Sequence, residues 1–261
     1  MQPGAVLLSF TRAPWPLLFA TAGLGLALCL YTAGHRSLPA FCSAVGGLSI
    51  VTNWPTALKA ELALNPAQQM LADWALMLLA MMPPLLAMPL MHVWRSSLPR
   101  RRIRAALGFL LGYTALWMAA GPLLMGLALL LQLSIADAAL ATALLVALLV
   151  ALLWSASPWQ RAALNRGHRM RRIGLFGWTA DRDCLVFGAT HGALCIASCW
   201  AWMLVPLLGG AWHIPLMLVA GAIMLVERLA PGDRPRWHWP AILPRLDLWL
   251  LMTRKVAHAH D

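Results

Sequence analysis

Apolar residues in this chain come in long blocks rather than short alternations. Six stretches are almost wholly apolar: Pro14 to Tyr31, Met70 to Trp94, Ala105 to Leu131, Ile135 to Trp154, Leu185 to Leu208 and Trp212 to Leu229. A helix needs about 20 such residues to cross the hydrocarbon core of a bilayer, and each stretch is near or above that length. A segment that spans lipid singly must satisfy its own backbone hydrogen bonds, so each stretch is predicted to be an α-helix. The expected fold class is therefore all-α: a polytopic membrane helix bundle of six transmembrane helices. One integral membrane domain covers residues 1–261, with 230–261 as a cytoplasmic tail. Residues 241–252 (AILPRLDLWLLM) are too short and too charged to span, and are expected to form an interfacial helix. No small-x-small cleavage site follows the first stretch, so it is expected to be a retained helix rather than a signal peptide.

Composition narrows the class further. Of 261 residues, 61% are hydrophobic and 11% are charged, whereas a soluble domain is about one quarter charged. An ordinary soluble protein is excluded. The formal charge of +11 would suit nucleic acid only if the basic residues formed a patch on a soluble body, and no nucleic-acid partner is expected. The loops account for that charge instead. Arg95, Arg100, Arg101, Arg102 and Arg104 separate the second and third stretches, and Arg161, Arg166, Arg169, Arg171, Arg172 and Arg182 separate the fourth and fifth. Together with Arg12 and the six basic residues from Arg228 onward, 18 of the 20 fall on one side, leaving Arg36 and Lys59 opposite. The positive-inside rule assigns the crowded side to the cytoplasm. Both termini are then cytoplasmic (N-in/C-in), and the expected location is a bacterial inner (plasma) membrane. Trp15, Trp74, Trp94, Trp154 and Trp212 lie near stretch ends, where interfacial anchors are expected.

Ionisable residues at bilayer depth are costly and mark function by default, but few are present. Asp73 and Asp137 fall near external helix ends, and Glu227 stands beside Arg228 at a cytoplasmic end, where snorkelling or local pairing accounts for it. The mid-membrane groups that remain are soft. His191, Cys195 and Cys199 follow i, i+4, i+8 and share a helix face. Met70, Met77, Met81 and Met88, spaced 7, 4 and 7, form a stripe on the second helix, flanked by Met82, Met91 and His92. With the two helices antiparallel and rising 1.5 Å per residue, Met77 matches Cys199 in depth, Met81 matches Cys195, and Met88 matches His191. Gly188 and Gly192 would let another helix approach closely, and Pro83 and Pro84 interrupt the second helix.

Thiolate and thioether ligands select soft ions, above all Cu(I). Copper is the expected metal, with zinc second because Cys and His also ligate it. The metal ligands expected on this reading are His191, Cys195, Cys199, Met77, Met81 and Met88. Each type also has an inert explanation: methionine fills apolar gaps, a free cysteine behaves as a small hydrophobe, and a histidine can bond a carbonyl across a helix interface. No phosphate loop, zinc-protease motif or dinucleotide fingerprint occurs, so no enzymatic activity is expected. Cys195 and Cys199 are awkwardly spaced for a disulfide within one regular helix.

At these residues the chain resembles a bacterial family of uncharacterised, predicted metal-binding integral membrane proteins. The similar segments are Trp74-Ala-Leu-Met77, Ala80-Met81-Met82-x-Pro84 through Pro89 and Met91, Gly112-Tyr113 with Trp117, His191-Gly192 through Cys195, Cys199, Trp200 and Met203, and Glu227-Arg228. The departures are Ser198, where relatives usually carry a further cysteine, and Asn165 and His168, which stand in the loop after Ser157-Pro158 where cysteines are expected. The resemblance implies metal binding. The resulting expectation is a membrane-embedded copper-binding, delivery or transport protein, with the bilayer, a metal ion and a membrane or periplasmic metal protein as partners. The competing expectation is a non-catalytic scaffold or assembly subunit that binds no metal.

Overall fold

The computed structural model describes residues 14–35, 67–134, 140–174, 176–230, 232 and 234–237. Among them all regular structure is helical: α1 (Trp15–His35), α2 (Ala67–Met81), α3 (Ala87–Ser96), α4 (Arg102–Ser134), α5 (Leu140–Ala156), α6 (Pro158–Gly167), α7 (Gly177–Leu207) and α8 (His213–Leu229). Short 3-10 turns at Pro83–Leu86, Pro99–Arg101 and Gly210–Trp212 join some of them. Four helical segments are long and apolar enough to cross a membrane: Trp15–Ala33, Pro99–Gln132, Gly177–Leu207 and Gly210–Leu229. Two further candidates are bent pairs, α2 with α3 at 57° and α5 with α6 at 64°, which bring the number to six if each pair counts as one span. The expected interfacial helix at 241–252 lies outside the described residues, as do Arg12, Arg36, Lys59 and Asp137.

Each bend has a local cause. Pro83 and Pro84 lack the N–H groups that would continue α2, and the chain tightens into a 3-10 turn before α3 begins. The second stretch is thus a broken helix. At the other bend, Ser157 caps α6 by accepting a hydrogen bond from the Gln160 N–H at 3.2 Å, and Pro158 occupies the first turn. This segment, expected as loop, is a helix that tucks Gln160, Arg161, Ala163 and Leu164 inward.

α7 is the central helix, packed by α4, α5, α6 and α8. Its closest neighbour is α4, and glycines bring the two together. A Cβ on Gly188 would collide with the Phe109 carbonyl, and one on Gly112 with the Leu185 carbonyl, so both backbones touch where side chains would otherwise hold them apart. α5 meets α7 through an alanine ladder, Ala143, Ala147 and Ala151, all buried, while Leu145, Leu149 and Leu153 face outward. Such outward leucines also mark α1 and α4.

Trp74 is buried rather than interfacial. It donates to the Trp117 carbonyl at 2.9 Å, and its ring occupies the notch left by Gly121. Trp15 is buried too, whereas Trp94 and Trp212 are exposed. The two arginine-rich connections meet at one end of the bundle. Arg101 and Arg104 both pair with Asp181, at 2.6 and 2.7 Å, and a ring nitrogen of His92 lies 2.8 Å from the Arg171 carbonyl oxygen.

Candidate soft-metal site

Cys195 and Cys199 are one turn apart on the face of α7 that looks into the bundle, and both are free thiols buried from solvent. Their Sγ atoms stand 3.9 Å apart. Metal–thiolate bonds of about 2.3 Å, the length typical for zinc, would let both sulfurs reach one ion from that separation. Tyr113 of α4 places its hydroxyl 3.2 Å from the Cys195 Sγ and 3.3 Å from the Met82 Sδ. The hydroxyl has one proton to donate, and a thioether can only accept. When Tyr113 donates to Met82, its oxygen is free to accept from the Cys195 thiol; when Cys195 is a thiolate, Tyr113 can donate to it. Ser198 adds a contact at 3.4 Å to the Cys199 Sγ while its hydroxyl donates to the Cys195 carbonyl. Three sulfurs from two elements, bridged by one phenol, thus form a buried, soft cluster.

His191 lies one turn further along α7, also buried, among the rings of Phe109, Tyr113 and Phe187 at centroid distances of 5.9 to 6.4 Å. Its Nε2 has no hydrogen-bond partner. A polar atom orphaned in an apolar pocket calls for an explanation, and an available ligand nitrogen is one. It does not complete the cysteine pair: among the described residues no three His, Cys, Asp or Glu side chains gather closely enough to hold an ion together. Met82 is the thioether that shares the Tyr113 hydroxyl with the pair.

The methionine stripe is divided by the break at Pro83. Met77 and Met81 are buried on α2, and Met81 lines a cavity of about 300 Å³ shared with Phe19 of α1 and Met217 of α8. Met82, at the end of the helix, is the one turned toward Tyr113 and Cys195. Met88 is 55% exposed, on the outer surface. The spacing of 7, 4 and 7 returns to one face only on an unbroken helix, and the 3-10 turn, with three residues per turn, shifts everything after it. On the far side of the break Ala87, Pro89 and Val93 take the inward places, and the half-buried His92 packs edge-to-face with Phe187 at 5.7 Å.

A second buried network adjoins the cluster. Gln160 of α6 donates to the Glu227 carboxylate at 2.7 Å, and Trp202 of α7 donates to the Ser155 hydroxyl at 2.7 Å. Glu227 is thus engaged across the bundle by α6, not merely paired beside its neighbour. The sequence signals for this were the Ser157-Pro158 start of α6 and two adjacent charges, Glu227 and Arg228, at the end of an apolar run. For Tyr113 the signal was position: it is one of only two tyrosines in the chain and lies far inside an apolar stretch.

Fold and site together define a class: an all-helical bundle with spans of membrane-crossing length and a buried thiol–thioether cluster between its central helix and a broken one. The chain belongs to the PpoB2 family of copper chaperones, whose sequence model matches residues 71–249. No curated protein and no solved structure matches it. The matched region contains Met82, Tyr113, Cys195 and Cys199, and the family links the chain to copper.

Proposed function

We propose that this protein is a six-span integral membrane protein, with both termini in the cytoplasm of a bacterial cell, that binds one Cu(I) and delivers it to a partner protein without catalysing a reaction. The observation that carries this reading is the sulfur cluster: two thiols 3.9 Å apart, with a thioether on the far side of a shared phenol. Cys195 and Cys199 would anchor the ion as thiolates and Met82 would supply a weaker third bond, a donor set that favours a soft monovalent ion over harder ones. Tyr113 would orient the Cys195 sulfur by donating to it, as outer ligand partners commonly do. Membership of a copper-chaperone family supports copper over zinc, and so does the lack, among the described residues, of a third His, Cys or carboxylate beside the pair. Met77, Met81 and the buried His191 would serve as further stations for a moving ion. Copper here is cargo, so the site must bind and release.

The test is metal content after Cu(I) loading under reducing conditions. Purified wild-type protein should retain about one equivalent of copper, and the double variant Cys195→Ser/Cys199→Ser should retain little, following the ligand chemistry. Equal copper in both would remove this reading.

A further inference from the structure

Arg228 is a cation placed where cations are expensive. It stands in the last turn of α8, only 7% exposed, and none of its three guanidinium nitrogens has a hydrogen-bond partner. Glu227 does not neutralise it locally: adjacent residues on a helix point about 100° apart, and the Glu227 carboxylate is engaged by Gln160 of α6. The fold makes room for the guanidinium. A Cβ on Gly167 would stand 2.8 Å from its Nη1, and a ring nitrogen of His168 lies 3.0 Å from the Arg228 carbonyl oxygen, tying the end of α6 to the end of α8. Gln160, which holds the neighbouring Glu227, also donates to the Ser198 carbonyl at 3.4 Å, so this end of α8 is fixed beside the turn of α7 that carries Cys195 and Cys199. A buried charge without a partner is strongly unfavourable, so the site lacks a negative charge that something else must supply.

We propose that Arg228 is the counter-charge of a copper bis-thiolate at Cys195 and Cys199, and that it sets the preference of the site for a monovalent ion. This rests on the copper reading above. The charges balance as follows. Cu(I) binding forms two copper–sulfur bonds and displaces two thiol protons to water; no electron moves. One positive ion on two thiolates leaves a net charge of −1, which Arg228 cancels. A divalent ion on the same two thiolates is already neutral and leaves Arg228 uncompensated. A neutral thioether such as Met82 can join either complex without changing this sum, so the arginine, rather than the sulfurs, discriminates by charge.

The experiment is competition of purified, full-length protein in detergent against a chromogenic Cu(I) chelator, and separately against a Zn(II) chelator. It compares wild type, Arg228→Met and Arg228→Lys, each also in a Cys199→Ser background. Arg228→Met should weaken Cu(I) binding by about 10- to 100-fold, the range for outer-shell changes at metal sites, without weakening Zn(II). Arg228→Lys, which keeps the charge, should stay within about threefold of wild type. With Cys199→Ser the filled site has one thiolate and is neutral without the arginine, so Arg228→Met should then cost less than about threefold, as coupled positions require. Thermal unfolding of the metal-free forms controls for folding, and Arg228→Gln is read instead if the methionine variant does not fold. The inference is overturned if Arg228→Met binds Cu(I) like wild type, if Arg228→Lys loses as much as Arg228→Met, or if the loss persists undiminished in Cys199→Ser. Wild-type protein that binds no Cu(I) would overturn the copper reading as well. Normal copper binding that ignores Arg228 overturns this inference alone.

Discussion

Tyr113 shows how one hydroxyl can organise a soft site. It lies between a thiol and a thioether at 3.2 and 3.3 Å, and the direction of its proton depends on whether Cys195 is protonated or bound. Removing only the oxygen with Tyr113→Phe should leave the packing against Phe109 and His191 nearly intact and weaken Cu(I) binding by about tenfold, measurable by chelator competition. Met82→Leu and Met88→Leu separate the two halves of the methionine stripe. The first removes a sulfur beside the cluster and should lower affinity, whereas the second, at an exposed position, should leave it unchanged. The thiol pair and His191 were legible as a face from their spacing alone. That Met82 rather than Met81 faces Tyr113 was not, because it depends on where a tandem proline ends one helix, and periodicity assumes that the helix continues.

At the scale of elements, the contact between α4 and α7 positions the cluster, since it brings Tyr113 to Cys195. That contact relies on Gly112 and Gly188, where a Cβ would strike the opposing backbone. Gly188→Val should therefore lower stability by about 1–3 kcal/mol, the usual cost of overpacking, seen as a lower unfolding temperature in detergent. Gly221, which has open space around it, should accept alanine without loss. The glycine pair on α7 was readable in advance as a place of close approach; its partner was not, because α4 carries its own glycines on a helix apolar all round. Helix α6 was hidden for a different reason: it is short and polar, and only the Ser157 cap and Pro158 announced it. Ser157→Ala should cost about 1 kcal/mol through the lost cap.

For the whole molecule, composition and loop charge predicted a helical membrane bundle, and the described chain is all-helical with at least four segments of spanning length. The convergence of Arg101 and Arg104 on Asp181 agrees with two basic loops at one end. If that end is cytoplasmic, Arg100→Cys and Arg169→Cys should resist a membrane-impermeant thiol reagent in intact cells and react after lysis. The central claim is that copper sits among sulfurs, and X-ray absorption at the copper edge of the Cu(I)-loaded protein tests it most directly. The account predicts a shell of two to three sulfur neighbours at about 2.3 Å, the metal–thiolate distance, which loses sulfur in Cys195→Ser/Cys199→Ser. A shell of nitrogen and oxygen neighbours, unaltered by those substitutions, would contradict it.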